Sequence, residues 1–484
     1  MLNIFKNRYF IAFLLISLIS SLIALCSITY HFYYLFPNSH SLFQIRHNNF
    51  QHLEFYTDKW NYEPGEAISI FASAAGEQTA LLTCYNPLSL DTLFHQEIKI
   101  PFQAVSGKVS VKGCGWEKLI SIRANQTSPS GWYVLSLQIS NFQKYSSIFL
   151  IPKKGTVKKE VALLLSTNTW NAYNHWGGQS LYTANHSPMV SFQRPQLMAD
   201  PFIQNTYANQ QLYYQAANID LPLAHLLDSA GISFDVYAIE ELHRSANRLN
   251  NYKSLVLSTH PEYWTPEMMI NLNTCLDSGL NLINLGGNTA AWYSKLDLKE
   301  RKLEVHKGPE TYWRSKDTTK LRPFGLQETA FGFHTFGPYE VLEDTSFLWE
   351  ATDLKKGDLF GEYSETYDYA YAYAGKWELL TSLFRKGQKG AAAGMELDKI
   401  FWHTPENWIT IARGWNQVKD GKGIVLRKND IAQLTEEPKG ADMGYYRHPG
   451  GGIIFQTGSL AFVGAIPYDE RIRKIVLNAI QHKK

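Results

Sequence analysis

The chain has 484 residues, of which 45% are hydrophobic and 14% aromatic, so it is too apolar to be a disordered protein. At about 100 to 200 residues per domain, this length predicts two or three domains. The formal net charge is only +2 and no basic stripe is present, which argues against a nucleic-acid partner.

The N-terminal segment is strongly apolar. No Asp, Glu, Lys or Arg occurs from Tyr9 to Ile45, and Phe10 to Tyr30 provides about the 20 residues that a bilayer-spanning helix needs. Lys6 and Arg8 precede this stretch, so the positive-inside rule places the N-terminus in the cytoplasm. The sequence therefore predicts that residues 1–36 form a cytoplasmic tip and a transmembrane signal anchor of a single-pass protein, with the main domains extracytoplasmic. A cleaved signal peptide is the less favoured alternative.

Residues 52–152 alternate apolar and polar side chains in short runs separated by turn signals. The runs are Ala67 to Ala72, Ala80 to Cys84, Lys108 to Val111 and Gly131 to Ile139. This spacing is typical of a small immunoglobulin-like β-sandwich. Cys84 and Cys114 fall within it, and the sequence allows either a disulfide or two separate buried thiols.

Residues 160–484 show a different pattern, in which buried strands alternate with helices. The predicted strands are Val161 to Ser166, Phe234 to Ile239, Ser254 to Thr259 and Leu280 to Leu285. Runs that are apolar on both faces indicate a parallel sheet covered by helices. The clearest helix is Thr265 to Ser278, with Thr265 as its N-cap and Gly279 as its stop. The predicted fold class is α/β, with a doubly wound layer.

The ligand site of such a layer lies beyond the C-terminal ends of its strands. Three loops are predicted to meet there: Asn168 to Tyr173, His260 to Trp264 and Gly286 to Asn288. Residues 294–380 are charged, aromatic and weakly periodic, and are predicted to be an insertion around this site. Strands at Gly390 to Gly394 and Gly452 to Gln456, and a helix at Asp469 to Ile480, are predicted to complete the region.

The loop at 168–182 is dense in aromatic and amide side chains, which is typical of a binding surface because buried Asn and His need partners. His260 and Glu262 stand two residues apart, so they can face one side of an extended backbone. The alternative is that His260 caps a turn and Glu262 is a helix-start carboxylate. A loop tyrosine, likewise, more often packs or hydrogen-bonds than binds a metal.

An ordered set of motifs from about Val161 to Ala465 resembles the N,N-dimethylformamidase large (beta) subunit-like family. The motifs are Thr169-Trp170-x-Ala172-Tyr173-Asn174-x-Trp176-Gly177-Gly178-x-Ser180-Leu181-Tyr182, Ser191-x-x-Arg194-Pro195, Glu241-Leu242-His243-Arg244, His260-Pro261-Glu262-Tyr263-Trp264, Gly286-Gly287-Asn288, Gly394-Met395-Glu396-x-Asp398, Ala441-Asp442-Met443 and Gly452 to Gly458. Eight motifs in the same order are far more specific than any one of them.

The resemblance implies a class I glutamine-amidotransferase-like fold without the nucleophilic cysteine. It also implies one mononuclear iron, as Fe(III), held by Tyr173, Tyr182 and Glu262, since a hard cation prefers anionic oxygen ligands. His260 and Asn288 match residues near the metal, and Glu396 matches the general base. Four further side chains are predicted to bind substrate: Trp170, Asn174, Trp176 and Trp264.

Two functions follow from these features. The first is a membrane-anchored, metal-dependent hydrolase of amide C–N bonds, whose partner is a small-molecule amide or an envelope-derived substrate. The alternative is a non-catalytic envelope module that binds glycan or peptide. A homo-oligomer is compatible with both, whereas a serine hydrolase is disfavoured because no Gly-x-Ser-x-Gly sequence occurs.

Overall fold

The structure of the protein is a computed structural model. It describes residues 53–105, 107–140, 142–153, 159–182, 188–203, 216–250, 252–313, 322–329, 336–366, 390–416 and 440–482. Most of the regular structure is β-sheet, joined by a small number of short helices, so the fold is mixed α/β.

Eight strands begin the described chain. They are β1 (Leu53–Thr57), β2 (Asn61–Tyr62), β3 (Ala67–Ala74), β4 (Gln78–Tyr85), β5 (Thr92–Ile100), β6 (Ile120–Arg123), β7 (Gly131–Ile139) and β8 (Phe142–Leu150). They form two sheets, ordered β1-β3-β6 and β2-β8-β7-β4-β5. Side chains from both sheets share one apolar cluster, in which Leu82, Leu135 and Leu137 are fully buried. The two sheets therefore enclose a common core, and their independence as a domain stays a prediction.

Eighteen further strands are described after this pair of sheets. They are β9 (Val161–Leu165), β10 (Met189–Ser191), β11 (Phe234–Ala238), β12 (Ser254–Leu257), β13 (Tyr263–Trp264), β14 (Asn281–Asn284), β15 (Trp292–Tyr293), β16 (Lys295–Asp297), β17 (Lys302–Glu304), β18 (Gln327–Thr329), β19 (Phe336–Gly337), β20 (Tyr339–Val341), β21 (Leu359–Phe360), β22 (Ala393–Gly394), β23 (Leu397–Lys399), β24 (Ile409–Gly414), β25 (Asp442–Arg447) and β26 (Ile453–Gln456).

Nine of these strands form the central sheet, in the order β11-β9-β12-β14-β26-β25-β24-β20-β21. The first five run parallel, and their order along the chain is 2-1-3-4-5. From β26 onwards the pairing is antiparallel. All five residues of β9 and of β11 are buried, which agrees with a sheet covered on both faces. The amidotransferase-like layering of helices stays a prediction.

The α-helices of the described chain are short. They are α1 (Val109–Lys112), α2 (Thr167–Tyr173), α3 (Ala217–Ser229), α4 (Glu240–Arg244), α5 (Pro266–Asp277) and α6 (Glu470–Gln481). Thr265 caps α5 by accepting from the Met268 amide, and Asp469 caps α6 by accepting from the Arg471 amide. Both predicted helices are thus confirmed, within a residue at each end.

The two-sheet N-terminal part packs directly on the central sheet. Trp132 and Phe149 point away from the sandwich core and belong to the apolar cluster of the central sheet. Asn61 accepts from the Ala238 amide at 2.9 Å and donates to Glu241 at 3.3 Å, at the end of β11. These contacts fix the N-terminal part against the edge of the sheet that carries β9 and β11.

The predicted single-pass membrane location is wrong on the described structure. Across residues 53–482, with the gaps given above, no helix is long and apolar enough to cross a bilayer. The longest, α3, has 13 residues, whereas a span needs about 20. The predicted anchor, residues 1–36, lies outside the described residues. The single-pass assignment is therefore not retained.

Two local expectations in the N-terminal part are settled differently. Lys108 to Val111 was expected to be a strand, but Val109–Lys112 forms the single helical turn α1, because a four-residue run is too short for its periodicity to discriminate. Cys84 and Cys114 are separate buried thiols, so the disulfide alternative is wrong.

Candidate active site

The strand order 2-1-3-4-5 creates a crevice between β9 and β12, where the chain leaves neighbouring strands in opposite directions. Open α/β sheets bind their ligands outside the carboxyl ends of the strands at such a switch point. Leu165 ends β9 and Leu257 ends β12, and the loops that follow these strands carry most of the predicted site residues. The topology therefore selects this edge as the candidate site.

The segment after β9 positions two tyrosines. Helix α2 ends at Tyr173, and the chain returns so that the Leu181 amide donates to the Ala172 carbonyl at 3.0 Å. This bond brings the next residue of each arm together, and the rings of Tyr173 and Tyr182 stack with centroids 3.9 Å apart. Gly177 and Gly178 make the reversal with φ of +81° and +93°.

The segment after β12 is a sharp turn that projects two ionisable side chains. Thr259 has φ of +47°, which is strained for a β-branched residue. Thr169 of α2 supports the turn, since its hydroxyl donates to the His260 carbonyl at 2.6 Å and accepts from the Glu262 amide at 3.3 Å. The side chains of His260 and Glu262 are almost fully buried, at 0% and 2% exposure.

The segment after β14 requires two glycines for close approach. A Cβ on Gly286 would lie 2.5 Å from the Thr259 carbonyl oxygen, and one on Gly287 would lie 2.6 Å from the Glu396 carbonyl oxygen. Asn288 follows with φ of +53°, a conformation that Asn tolerates. Its amide donates to Asp398 at 2.8 Å. The glycine pair thus lets three loops meet at one point.

Five side chains from these segments form one hydrogen-bonded cluster. The Tyr182 hydroxyl lies 2.9 and 3.1 Å from the two carboxylate oxygens of Glu262. His260 Nε2 lies 3.0 Å from Glu396 Oε2 and 3.5 Å from Glu262 Oε2. Asn288 Nδ2 donates to Glu396 and lies 3.5 Å from Glu262 Oε1. The structure thus brings Tyr182, His260, Glu262, Asn288 and Glu396 together, with Tyr173 stacked at their edge.

Burial and like charge shift the protonation equilibria of the cluster. Burial raises the pKa of Glu262, an effect opposed by His260 and reinforced by Glu396. Burial by itself would lower the pKa of His260, but the carboxylates of Glu396 and Glu262 raise it above its usual value. The Tyr182 residue is 38% exposed, but desolvation of its hydroxyl and the Glu262 carboxylate hold the pKa of Tyr182 well above its usual value. Tyr182 is therefore a proton donor to Glu262 in this arrangement.

The comparisons with known proteins bear on this site. The family described as N,N-dimethylformamidase beta subunit-like, C-terminal, matches residues 89–474. The chain belongs to this family. Two curated relatives are the N,N-dimethylformamidase beta subunits of an Alcaligenes species and of Paracoccus aminophilus, each 20% identical over 448 residues and covering 76% of this chain. The match covers 54% of each relative, so the chain spans about half the length of the curated relatives it matches.

One solved structure is also similar over a small part of the chain. It is Spo0M, a sporulation control protein from Bacillus subtilis, with 12% identity, a TM-score of 0.15, and coverage of 21% of this chain and 49% of that chain. A TM-score this low says nothing about the fold of this dimethylformamidase-like chain.

The four side chains that the sequence predicts to bind substrate make packing contacts or hydrogen bonds to the backbone. Trp170 is fully buried and packs edge-on against Trp60, with centroids 5.8 Å apart. Asn174 donates to the Pro195 carbonyl at 2.8 Å, and Trp176 packs against Trp116. Trp264 is buried and donates to the Pro261 carbonyl at 2.7 Å. None of these contacts reaches the Glu262 cluster, and the predicted substrate contact of these residues stays a prediction.

The structure adds residues that sequence reasoning missed. Trp292 Nε1 donates to Glu262 Oε1 at 2.8 Å, and the Tyr263 hydroxyl lies 2.6 Å from that of Tyr182. Lys307 Nζ lies 3.1 Å from the centroid of the Tyr182 ring and 5.3 Å from that of Trp292. Burial lowers the pKa of Lys307 to about 8, opposed by Glu262 and Glu396. Trp292 belongs to none of the sequence motifs. Lys307 lies in the predicted insertion, and its proximity to the cluster is visible only in the folded structure.

The side chains of Tyr173, Tyr182 and Glu262 are the candidate metal ligands of this site. Among the residues that the structure describes, no group of three or more His, Cys, Asp or Glu side chains is arranged to hold a metal. Two of the three candidate ligands are tyrosine phenols, and tyrosine is not one of those four residue types. Tyr182 already places its oxygen against both oxygens of Glu262, and Tyr173 stacks on Tyr182. These hard oxygen donors fit a hard cation.

Proposed function

We propose that this chain is a hydrolase of amide C–N bonds, with its active site in the Glu262 cluster. Membership of the dimethylformamidase-like family supports the reaction class. The chain spans about half of its curated relatives, so neither their substrate nor their subunit partner is carried over. A small-molecule amide is the substrate class that we infer.

The observation that carries this proposal is the concentration of buried ionisable groups at the switch point. Glu262 and Glu396 are 2% and 7% exposed, yet they share His260 between them at 3.5 and 3.0 Å. Placing two carboxylates so close is costly unless a cation or a proton balances them. Perturbed groups of this kind cluster at catalytic sites. A module that only binds glycan or peptide has no need of them.

We further propose that Tyr173, Tyr182 and Glu262 hold one metal ion, and that this ion is iron. Bound there, the ion supplies Lewis-acid activation of water and of the amide carbonyl. A cation held there would favour the phenolate form of Tyr182 over the neutral hydroxyl that donates to Glu262. Phenolate and carboxylate oxygens are suitable ligands for Fe(III).

The remaining polar residues of the cluster have separate roles in this proposal. Glu396 is the general base, because its Oε2 atom accepts from both Asn288 and His260 and is therefore fixed in one orientation. His260, whose pKa its two carboxylate neighbours raise, passes the proton on to the leaving amine. Asn288 directs its side-chain amide towards both carboxylates and so holds Glu262 and Glu396 in a fixed relative position.

Metal analysis of the full chain tests the proposal. Wild type, Glu262→Ala and Glu97→Ala are purified identically after growth with iron, and metal is counted by plasma mass spectrometry. Glu97 is an exposed carboxylate of β5, so its variant controls for the loss of one acidic group. About one iron per chain in wild type and in Glu97→Ala, with none in Glu262→Ala, is the expected result. Equal iron in all three proteins would refute the ligand assignment.

A further inference from the structure

Arg194, the arginine of the Ser191-x-x-Arg194-Pro195 motif, is hydrogen-bonded to the segment that carries the two tyrosines. This segment, residues 171–182, is called the tyrosine loop here. Arg194 is fully buried, at 0% exposure. Burial lowers the pKa of its guanidinium to about 9, which still leaves it charged at neutral pH. In the part of the chain that the structure describes, no carboxylate lies within ion-pair distance of it.

All five N–H donors of Arg194 are used, and four of the five bonds reach the tyrosine loop. Nη1 donates to the Trp176 carbonyl at 2.6 Å and to the Gln179 carbonyl at 3.0 Å. Nη2 donates to the carbonyl and side-chain oxygens of Asn171 at 3.3 and 3.4 Å. Nε donates to the Ser191 carbonyl at 3.0 Å. A planar fork of donors thus spans the loop from its first residue to three residues before Tyr182.

This arrangement is unusual in its charge balance. A buried guanidinium normally has a carboxylate partner, because desolvation is costly. For Arg194, five neutral oxygen acceptors compensate for the desolvation of the guanidinium. Neither the single ammonium group of Lys nor the amide of Gln could make the same fork, so the site has a specific need for the geometry of Arg.

We propose that Arg194 is a positioning residue that holds the two arms of the tyrosine loop at the separation that places Tyr173 and Tyr182 side by side. The inference rests on the proposed function for its consequence at the metal, but its structural part does not. Asn171 stands two residues before Tyr173, and Gln179 stands three residues before Tyr182. One rigid group therefore fixes both arms, next to the bond from the Leu181 amide to the Ala172 carbonyl.

The first arm of the test needs no metal. Amide hydrogen exchange is measured on the full chain without metal, as wild type, Arg194→Lys and Arg248→Lys. Arg248 bonds to Glu63, Glu241 and Pro152, three residues outside the tyrosine loop, so it is the matched control. In Arg194→Lys we expect the Gly178 and Leu181 amides to exchange at least about tenfold faster, because bonds to a charged donor are lost.

The second arm measures iron binding. Tyrosinate bound to Fe(III) absorbs visible light by charge transfer from ligand to metal, and this band reports the positions of the phenolates. Arg194→Lys is expected to bind iron about 10- to 100-fold more weakly, as for a lost supporting contact, and to shift the band. Arg248→Lys is expected to match wild type, and Tyr182→Phe is expected to lose the part of the band that Tyr182 contributes.

The outcomes separate the two proposals. Unchanged exchange in the tyrosine loop of folded Arg194→Lys would overturn the positioning role, whatever the metal does. A wild type that binds no iron would overturn the metal site, while the exchange arm would still decide the role of Arg194. If Arg194→Lys does not fold, Asn171→Ala replaces it, since this change removes the side-chain acceptor of Nη2, together with the bonds of that side chain to the Val190 carbonyl and to Gln196. Unchanged exchange in Asn171→Ala would then overturn the proposal.

Discussion

The sandwich core and the Glu262 cluster are both buried, yet the first consists of apolar side chains and the second of ionisable and polar ones. The core between the two N-terminal sheets is apolar, with Leu82, Leu135 and Ile148 fully buried. The cluster buries two carboxylates, a histidine and an amide, beside residues of positive φ. Each buried leucine contributes roughly 1.5 to 3 kcal/mol to stability, whereas each buried charge costs free energy unless it is paired. The first region therefore stabilises the fold, and under the proposed function the second carries the chemistry.

The largest expected effect is on catalysis. Glu396→Gln should lower kcat by about 10²- to 10⁴-fold, the usual contribution of a general base. The free energy of unfolding should stay the same or rise, because Glu262 loses a like-charged neighbour. Steady-state kinetics and urea unfolding measure the two quantities. A variant that loses stability but keeps its kcat would reverse the contrast between the regions.

A deletion in the sandwich core should do the opposite. Leu135→Ala is expected to lower the free energy of unfolding by about 2 to 5 kcal/mol, the range for a buried leucine. Per folded molecule, kcat should not change, because Leu135 contacts the core cluster of the sandwich and not the site. Urea unfolding and an assay well below the unfolding midpoint check both parts. A large change in kcat would show that the two regions are coupled.

A glycine substitution at the site should affect both properties to an intermediate degree. Gly287→Ala would place a Cβ 2.5 Å from the Leu460 amide nitrogen and 2.6 Å from the Glu396 carbonyl oxygen. Overpacking of this kind costs about 1 to 3 kcal/mol, and it should displace Glu396 and reduce kcat. Gly76→Ala is the control for kcat, because its Cβ would meet no atom within 4 Å, although the φ of +78° at Gly76 adds backbone strain of its own. Equal kcat in the two variants would contradict the close-approach account.

The last expected effect, the smallest when counted per pH unit, is on the dependence of stability on pH. Burial raises the pKa of Asp220 to about 7 from 3.8, although Ser258 and Thr259 donate to it. Between these values the folded state binds the proton that the unfolded state has lost, so stability falls as pH rises. Asp220→Asn should remove this fall, a change in slope of at most about 1.4 kcal/mol per pH unit. Unfolding measured from pH 4 to pH 8 tests this, and an unchanged slope would contradict it.

Local signals in the sequence were sufficient for isolated elements. The α5 helix is recognisable because Thr265, Pro266 and Gly279 mark its ends, and β7 matches the predicted run of residues 131–139. The sequence predicts a loop at residues 168–182, whereas Thr167–Tyr173 forms helix α2. Six of its seven residues are buried, so the one-sided apolar pattern that marks a helix is absent.

The site was only partly predictable, because its completion depends on contacts between distant segments. The order 2-1-3-4-5 and the antiparallel extension from β26 to β21 are non-local pairings that no local pattern encodes. Motifs supplied His260, Glu262, Asn288 and Glu396, and the structure brings these residues together. Lys307 has no motif, and its role near the cluster follows only from its position over the Tyr182 ring.

The most direct test of the central claim is amine release from a panel of simple N-substituted amides. The full chain is assayed after removal of metal by a chelator and again after iron is restored, beside the Glu396→Gln variant. Activity that disappears with the metal, returns with iron and is lost in the variant is the predicted result. A chain that is loaded with iron and yet releases no amine from any amide would contradict the assignment as an amide hydrolase.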